Sequence, residues 1–164
     1  MHHFNAAALT DCFHQLDGRK AVGSDGITKA DYAEELAANL QDLVDRMKQM
    51  AYRPAPVRRV DIPKEGPPGA TRPLGISNLE DKIVQKMTQR VLESIYEPVF
   101  RDCSYGFRPG RGCHDAIRAL HQHLFRHEVQ TVIDVDLAGF FDQIDHRLLA
   151  GFLRQKIRDE RFMR

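Results

Sequence analysis

The hydrophobic periodicities predict an α+β fold, and three observations carry that prediction. A helical-period apolar stripe follows Thr28. Two short β-branched runs flank a Pro- and Gly-rich turn. A third strand-like run, Val129 to Asp136, lies between two further amphipathic helices.

Taken in order, Thr28 and Asp31 form a capping box. Tyr32, Leu36, Leu40, Leu43, Val44 and Met47 then recur at helical spacing, which predicts one helix from Lys29 to about Met50. Pro54 and Pro56 close it. Val57 to Ile62 is β-branched at Val57, Val60 and Ile62, and Pro63 stops the ladder. Glu65 to Thr71 holds too much Pro and Gly for regular structure, so Arg72 to Ile76 completes a hairpin. Ser77 and Glu80 have capping-box spacing and open a helix through Ile83, Val84, Met87, Val91, Leu92 and Ile95, ending before Pro98. Ser104 to Gly112 is a loop rich in Gly and Arg. Ala116, Ile117, Leu120 and Leu124 mark another helix. Val129 to Asp136 is a buried-type strand, and Asp145 caps a last helix through Leu148, Leu149, Phe152 and Leu153.

Composition narrows the class. The chain has 164 residues, is 42% hydrophobic and 29% charged, and so has the makeup of a folded domain or one lobe of a larger one. No stretch approaches the ~20 apolar residues of a membrane span. The N-terminus lacks the apolar run of a signal peptide. Three distant cysteines, Cys12, Cys103 and Cys113, suit reduced thiols. Together these predict a soluble cytoplasmic protein with no membrane partner.

Net charge is only +1, yet the charges are segregated. Arg53, Arg58, Arg59, Lys64 and Arg72 meet only Asp61 and Glu65. Arg101, Arg108, Arg111, Arg118 and Arg126 meet only Asp102 and Asp115. Asp134, Asp136, Asp142 and Asp145 then follow with no cation among them. Cations for phosphate backbones beside acids for metal ions suit a nucleic-acid enzyme, although charge runs more often mark plain solvated surface.

The chemistry is concentrated in Val132-Ile133-Asp134-Val135-Asp136-Leu137-Ala138-Gly139-Phe140-Phe141-Asp142. A strand that delivers carboxylates into a turn is a suitable mount for a hard divalent cation. Period-2 alternation puts Asp134 and Asp136 on one face, so spacing leaves the choice between them open. Neither glycine cluster is followed by Lys-Ser or Lys-Thr, which excludes a P-loop. His114, His121, His123 and His127 have no Cys pair beside them and suit a solvated helix face better than a zinc site.

Four blocks in order resemble group II intron-encoded reverse transcriptases and maturases. Gly23-Ser24-Asp25-Gly26-Ile27-Thr28 is similar to the extra N-terminal block of that lineage. Tyr52 to Lys64 with Arg72-Pro73-Leu74-Gly75-Ile76 resembles the first fingers block. Ser104-Tyr105-Gly106-Phe107-Arg108-Pro109-Gly110-Arg111 resembles the second, and Asp136 to Asp142 resembles the first palm motif. The resemblance implies a right-hand polymerase, with an N-terminal extension and fingers over 1–128 and the start of the palm over 129–164.

The resemblance also implies roles. Asp136 is the catalytic, metal-binding aspartate for Mg²⁺, with the backbone of Leu137 beside it. Phe141 is the gate that selects deoxynucleotides, while Phe140 is expected in the core. Lys64 and Arg72 clamp the dNTP triphosphate. Phe107, Arg108, Pro109 and Arg111 contact the nucleic acid. The implied partners are an RNA template, a DNA primer, a dNTP and an intron RNA. The family completes its site with two adjacent aspartates on a later strand, and these 164 residues contain no Asp-Asp pair. The chain is therefore expected to act as part of an RNA-directed DNA polymerase and to be inactive alone. The alternative is a maturase-type RNA-binding module that does no chemistry here.

Overall fold

A computed structural model describes residues 2–63 and 69–163. Lys64 and residues 65–68, where the sequence predicts a turn, lie outside the described residues. The chain divides into two compact units, one formed by residues up to Leu92 with Asp159–Phe162, the other by Glu93–Arg158.

The first unit is built on helices α1 (Ala6–Gln15), α2 (Lys29–Glu34), α3 (Leu36–Lys48) and most of α4 (Leu79–Tyr96), with a hairpin of β1 (Arg58–Pro63) and β2 (Thr71–Ile76). Asn5 caps α1 by accepting from the Ala8 amide, which turns Leu9, Cys12 and Phe13 onto one buried face. Those side chains pack with Tyr32, Leu40, Leu43, Val44 and Met47 and with Leu79, Ile83 and Met87. Leu9, Leu40, Leu43, Ile83 and Cys12 are almost wholly removed from water. At about 25 cal/mol per Å² of apolar area, this cluster is the main source of the unit's stability.

The Thr28–Asp31 capping box forms in both directions: the Asp31 amide donates to Thr28 Oγ1 and the Thr28 amide to Asp31 Oδ2. The helix it opens is shorter than the periodicity predicts. Glu35 leaves the helical region at φ −123° and ψ 38°, splitting one expected helix into α2 and α3. The side-chain amide of Asn39 donates to the Tyr32 carbonyl at 3.2 Å, satisfying a group that an unbroken helix would have paired itself.

A second correction concerns α4. Its first helical bond runs from the Lys82 amide to the carbonyl of Asn78, so Asn78 and not Ser77 stands at the helix entrance. Glu80 is drawn instead to Arg46, whose guanidinium bonds Glu80 at 2.7 Å and Asp42 at 2.6 Å. Buried Asp81 accepts from the Tyr52 hydroxyl and the Ala55 amide. Burial, reinforced by that carboxylate, holds the Tyr52 phenol well above its ordinary pKa. The first turn of α4 thus ties α3 and the segment entering the hairpin to one helix end.

The block at Gly23 docks on the same end. The Ser24 amide donates to Asn78 Oδ1 at 2.8 Å, and Ser24 Oγ donates to the Pro56 carbonyl at 2.8 Å. A Cβ at Gly23 would sit 2.1 Å from Asn78 Oδ1 and 2.6 Å from Asn78 Cα, so only glycine permits this approach.

In the hairpin, Arg58 pairs with Ile76, Val60 with Leu74 and Ile62 with Arg72. Two strands alone are marginal in water, and this ribbon is largely exposed.

The second unit holds the end of α4, a 3₁₀ turn at Glu97–Val99, α5 (Cys113–Arg126), a 3₁₀ turn at Phe141–Gln143 and α6 (His146–Arg154). Asp145 caps α6 as expected, accepting from the amides of Arg147 and Leu148. The expected strand at Val129–Asp136 does not form. A strand needs a neighbour to pair its amides and carbonyls, and the one sheet among the described residues is the β1–β2 hairpin. Val132, Ile133 and Val135 are accordingly exposed, Ile133 to 81%. The apolar faces of α5 and α6 are exposed too, at Ile117, Leu120, Leu148 and Phe152. No described helix is long and apolar enough to cross a membrane.

Candidate functional site

The acidic motif begins in irregular chain and ends in a tight turn. Gly139 adopts φ +61°, a conformation that glycine takes without strain. The amides of Asp142 and Gln143 then donate back to the Gly139 carbonyl, forming the 3₁₀ turn that carries Phe141. Asp136 precedes this turn. Its side chain is exposed and makes no hydrogen bond or ion pair among the described residues. Asp134 and Asp142 are likewise exposed, while Asp145 is engaged as the cap of α6. Among the described residues no three His, Cys, Asp or Glu side chains converge.

Phe140 and Phe141 stand edge to face with centroids 5.4 Å apart. Phe140 was expected in the core but is 50% exposed, and Phe141 is 79% exposed. The segment before them has no ladder partner among the described residues, so no layer lies over the Phe140 ring.

Arg72 is the second residue of β2, opposite Ile62 on the exposed ribbon, and its side chain makes no ion pair or hydrogen bond among the described residues. The other expected triphosphate contact, Lys64, lies outside the described residues.

The Ser104–Gly112 loop is organised from within. Arg108 was expected to reach nucleic acid, but its side chain is only 7% exposed. Its Nε and Nη2 donate to the Glu97 carboxylate, at 3.1 and 2.8 Å, and its Nη1 donates to the carbonyls of Arg101 and Ser104. Its guanidinium also lies 5.3 Å from the centroid of Phe100. Here Arg108 is a brace, because its fork of donors is used on the loop itself. Arg111 turns inward as well, onto Asp102 and the Ser104 carbonyl, with its guanidinium 5.5 Å from the Tyr105 ring centre. Between these braces Phe107 takes φ +57° with its ring fully exposed. A bulky residue in that region costs about 1–2 kcal/mol. Pro109 is exposed beside it.

Glu97 was not singled out in the sequence. Its one local sign is an acid placed just ahead of an arginine-rich stretch, which gives no hint of the pairing. The hydrogen bond from Arg108 holds the Glu97 carboxyl below its ordinary pKa and raises that of Arg108. A depressed carboxylate pKa stabilises the loop fully above the ordinary glutamate value of about 4.3, and that contribution disappears as pH falls through the lower folded value. Amide spectra of residues 104–111 should therefore stay constant from neutral pH to about pH 5 and broaden below about pH 4. In Glu97→Gln the acid transition should vanish.

Comparison with known proteins decides the family. A model of the reverse transcriptase (RNA-dependent DNA polymerase) family matches residues 62–157, more than half of the chain. The chain belongs to the reverse transcriptase family. Within that family several of its relatives are intron proteins in name. It is 42% identical over 149 residues to Protein YkfC of Escherichia coli, covering 89% of this chain and 39% of that protein. It is 37% identical over 150 residues to the group II intron-encoded protein LtrA of Lactococcus lactis, covering 90% of this chain and 24% of that protein. A putative COX1/OXI3 intron 2 protein of Saccharomyces cerevisiae is 39% identical over 112 residues, 68% of this chain and 13% of that protein. These matches bear out the resemblance to group II intron-encoded reverse transcriptases and maturases. The chain spans well under half the length of these relatives. The reverse transcriptase match contains Arg72, the braced loop and the Asp136–Asp142 motif.

Proposed function

We propose that the chain supplies the fingers, over 1–128, and the first part of the palm, from 129 onward, of an RNA-directed DNA polymerase of the group II intron type. The observation that carries this reading is Asp136, an exposed carboxylate unpaired among the described residues, just ahead of a glycine-dependent turn that carries two adjacent aromatic rings. The Asp136 carboxylate and the Leu137 carbonyl are hard oxygen donors, which fit Mg²⁺ in kind, and one carboxylate alone holds it weakly. A bound Mg²⁺ would polarise the reacting phosphate and lower the pKa of the primer hydroxyl.

The remaining work falls to the protein's own groups. Arg72, near the Pro63–Thr71 end of an exposed ribbon and with its side chain unpaired among the described residues, would pair with a triphosphate, and Lys64 follows β1 in sequence. Phe141 would wall the sugar, because a ring packed on C2′ leaves no room for a second hydroxyl. Substrates are a dNTP, a DNA primer and an RNA template, with the acting protein in the cytoplasm. The maturase reading, in which intron RNA is gripped without local chemistry, has one support: a nuclear intron maturase of Arabidopsis thaliana is 29% identical over 82 residues. The retained Asp136 and Phe141 favour the polymerase, since gripping RNA requires neither.

The chain joined to the remainder of the L. lactis relative gives a protein in which the gate is testable. Phe141→Ala should raise ribonucleotide relative to deoxynucleotide incorporation by about 10-fold or more, the worth of one well-placed steric contact. Phe140→Ala should leave the ratio within about twofold. Equal ratios for the parent and Phe141→Ala would remove the gate assignment.

A further inference from the structure

We infer that His123 and His127 form a binding site for a transition-metal dication, Cu²⁺ before Ni²⁺, at the C-terminal end of α5. The site is independent of the polymerase reading. In sequence these histidines are four apart and lack the cysteines of a structural zinc site, and the structure adds how their rings stand. The ring centres are 4.4 Å apart and the planes are inclined at 42°, tilted rather than stacked. An imidazole nitrogen sits about 2.0–2.1 Å from a bound metal, so two rings sharing an ion at a right angle have centres roughly 4.5 Å apart, against roughly 5.2 Å at a tetrahedral angle. The observed spacing is that of the right angle. Such nitrogens match the tetragonal coordination of Cu²⁺ and Ni²⁺, whereas a closed zinc site is tetrahedral with all its ligands from protein. Among the described residues no third His, Cys, Asp or Glu joins the pair, which leaves the other positions to water. Both residues are exposed, and neither ring makes a hydrogen bond or ion pair among the described residues. The pair sits at the carbonyl end of a 14-residue helix, where the macrodipole favours a cation, although Arg126 in the same turn offsets part of this. His127 leaves the helical region at φ −125° and ψ 146°, and its amide donates to the His123 carbonyl at 3.1 Å. The backbone thus already holds the two residues together, which reduces the freedom lost when an ion joins their side chains. A bound ion would staple the last turn of α5 to its cap.

Copper(II) chloride titrated into the chain tests the site, on a background of His2→Ala and His3→Ala that removes the other close histidine pair. Calorimetry should find a single ion per chain, and electron paramagnetic resonance should show it held by a pair of imidazole nitrogens. His123→Ala and His127→Ala should each weaken binding about 10-fold or more, because losing either ligand removes the chelate, while His114→Ala and His121→Ala should leave it within about twofold. The metal-free thermal midpoint should be the same in all four variants, since these rings are exposed. Nickel and zinc should each bind more weakly than copper. Equal weakening by all four variants would mean adventitious copper on scattered histidines and would overturn the site. So would unchanged binding in either His123→Ala or His127→Ala, or a resonance showing only one nitrogen. Zinc bound more tightly than copper would overturn the assignment to a right-angled ion.

Discussion

Replacing Asp136 by Asn should abolish primer extension by the chain joined to the remainder of the L. lactis relative, lowering the rate by about 10³-fold or more. Losing several kcal/mol of metal-mediated stabilisation corresponds to that factor. The substitution keeps the size of the side chain and removes its charge. Because Asp136 is exposed and unpaired among the described residues, stability should change by less than about 0.5 kcal/mol. RNA affinity should be retained, since a carboxylate does not attract phosphates. A circular-dichroism melt and a filter-binding titration beside the extension assay separate lost chemistry from lost structure. Asp134→Asn is the matched control. It shares the sequence alternation but lies outside the recognised motif, so it should keep most of the activity. If Asp134→Asn were the inactive one, the metal ligand would be the other carboxylate.

The largest effect on stability is expected from Leu43→Ala. Leu43 is fully buried between residues of α1 and α4, and its removal leaves a cavity that helices fixed by Arg46–Glu80 and Tyr52–Asp81 cannot readily close. The cost should be about 2–5 kcal/mol, seen as a fall of roughly 5–20 °C in the thermal midpoint. Ile117→Ala removes a comparable side chain from the exposed face of α5 and should cost less than about 0.5 kcal/mol. Equal losses from the two would mean that the core lies elsewhere.

Features whose causes are local were legible in the sequence. The Thr28–Asp31 box and the Asp145 cap depend on residues within a few positions of one another, and each forms where expected; the hairpin forms too, but its ladder runs one residue further than expected, pairing Pro63 with Thr71 and leaving Val57 outside. Helix α1 carries signals of the same kind, with Asn5 as cap and Leu9, Cys12 and Phe13 at helical spacing, and it was open to the same reading without being found. The break at Glu35 hid because an apolar stripe runs unbroken through it, while the cause is a side-chain amide competing for a backbone carbonyl. The Val129–Asp136 strand was overpredicted for a physical reason: β-branched composition states a preference, and only a neighbouring strand realises it. Asp136 and Phe141 are assigned through a motif. The inward turn of Arg108 could not be found that way, because it depends on Glu97 and on carbonyls that only the folded loop brings together.

One titration of primer extension on an RNA template, with dNTPs and Mg²⁺, addresses the central claim most directly when run on the chain joined to the remainder of its L. lactis relative. Stepwise addition of the deoxynucleotides that the template specifies is the predicted result. A protein that folds and holds the template–primer duplex, yet leaves every primer at its starting length across the metal range, would contradict the polymerase reading and leave an RNA-binding module in its place.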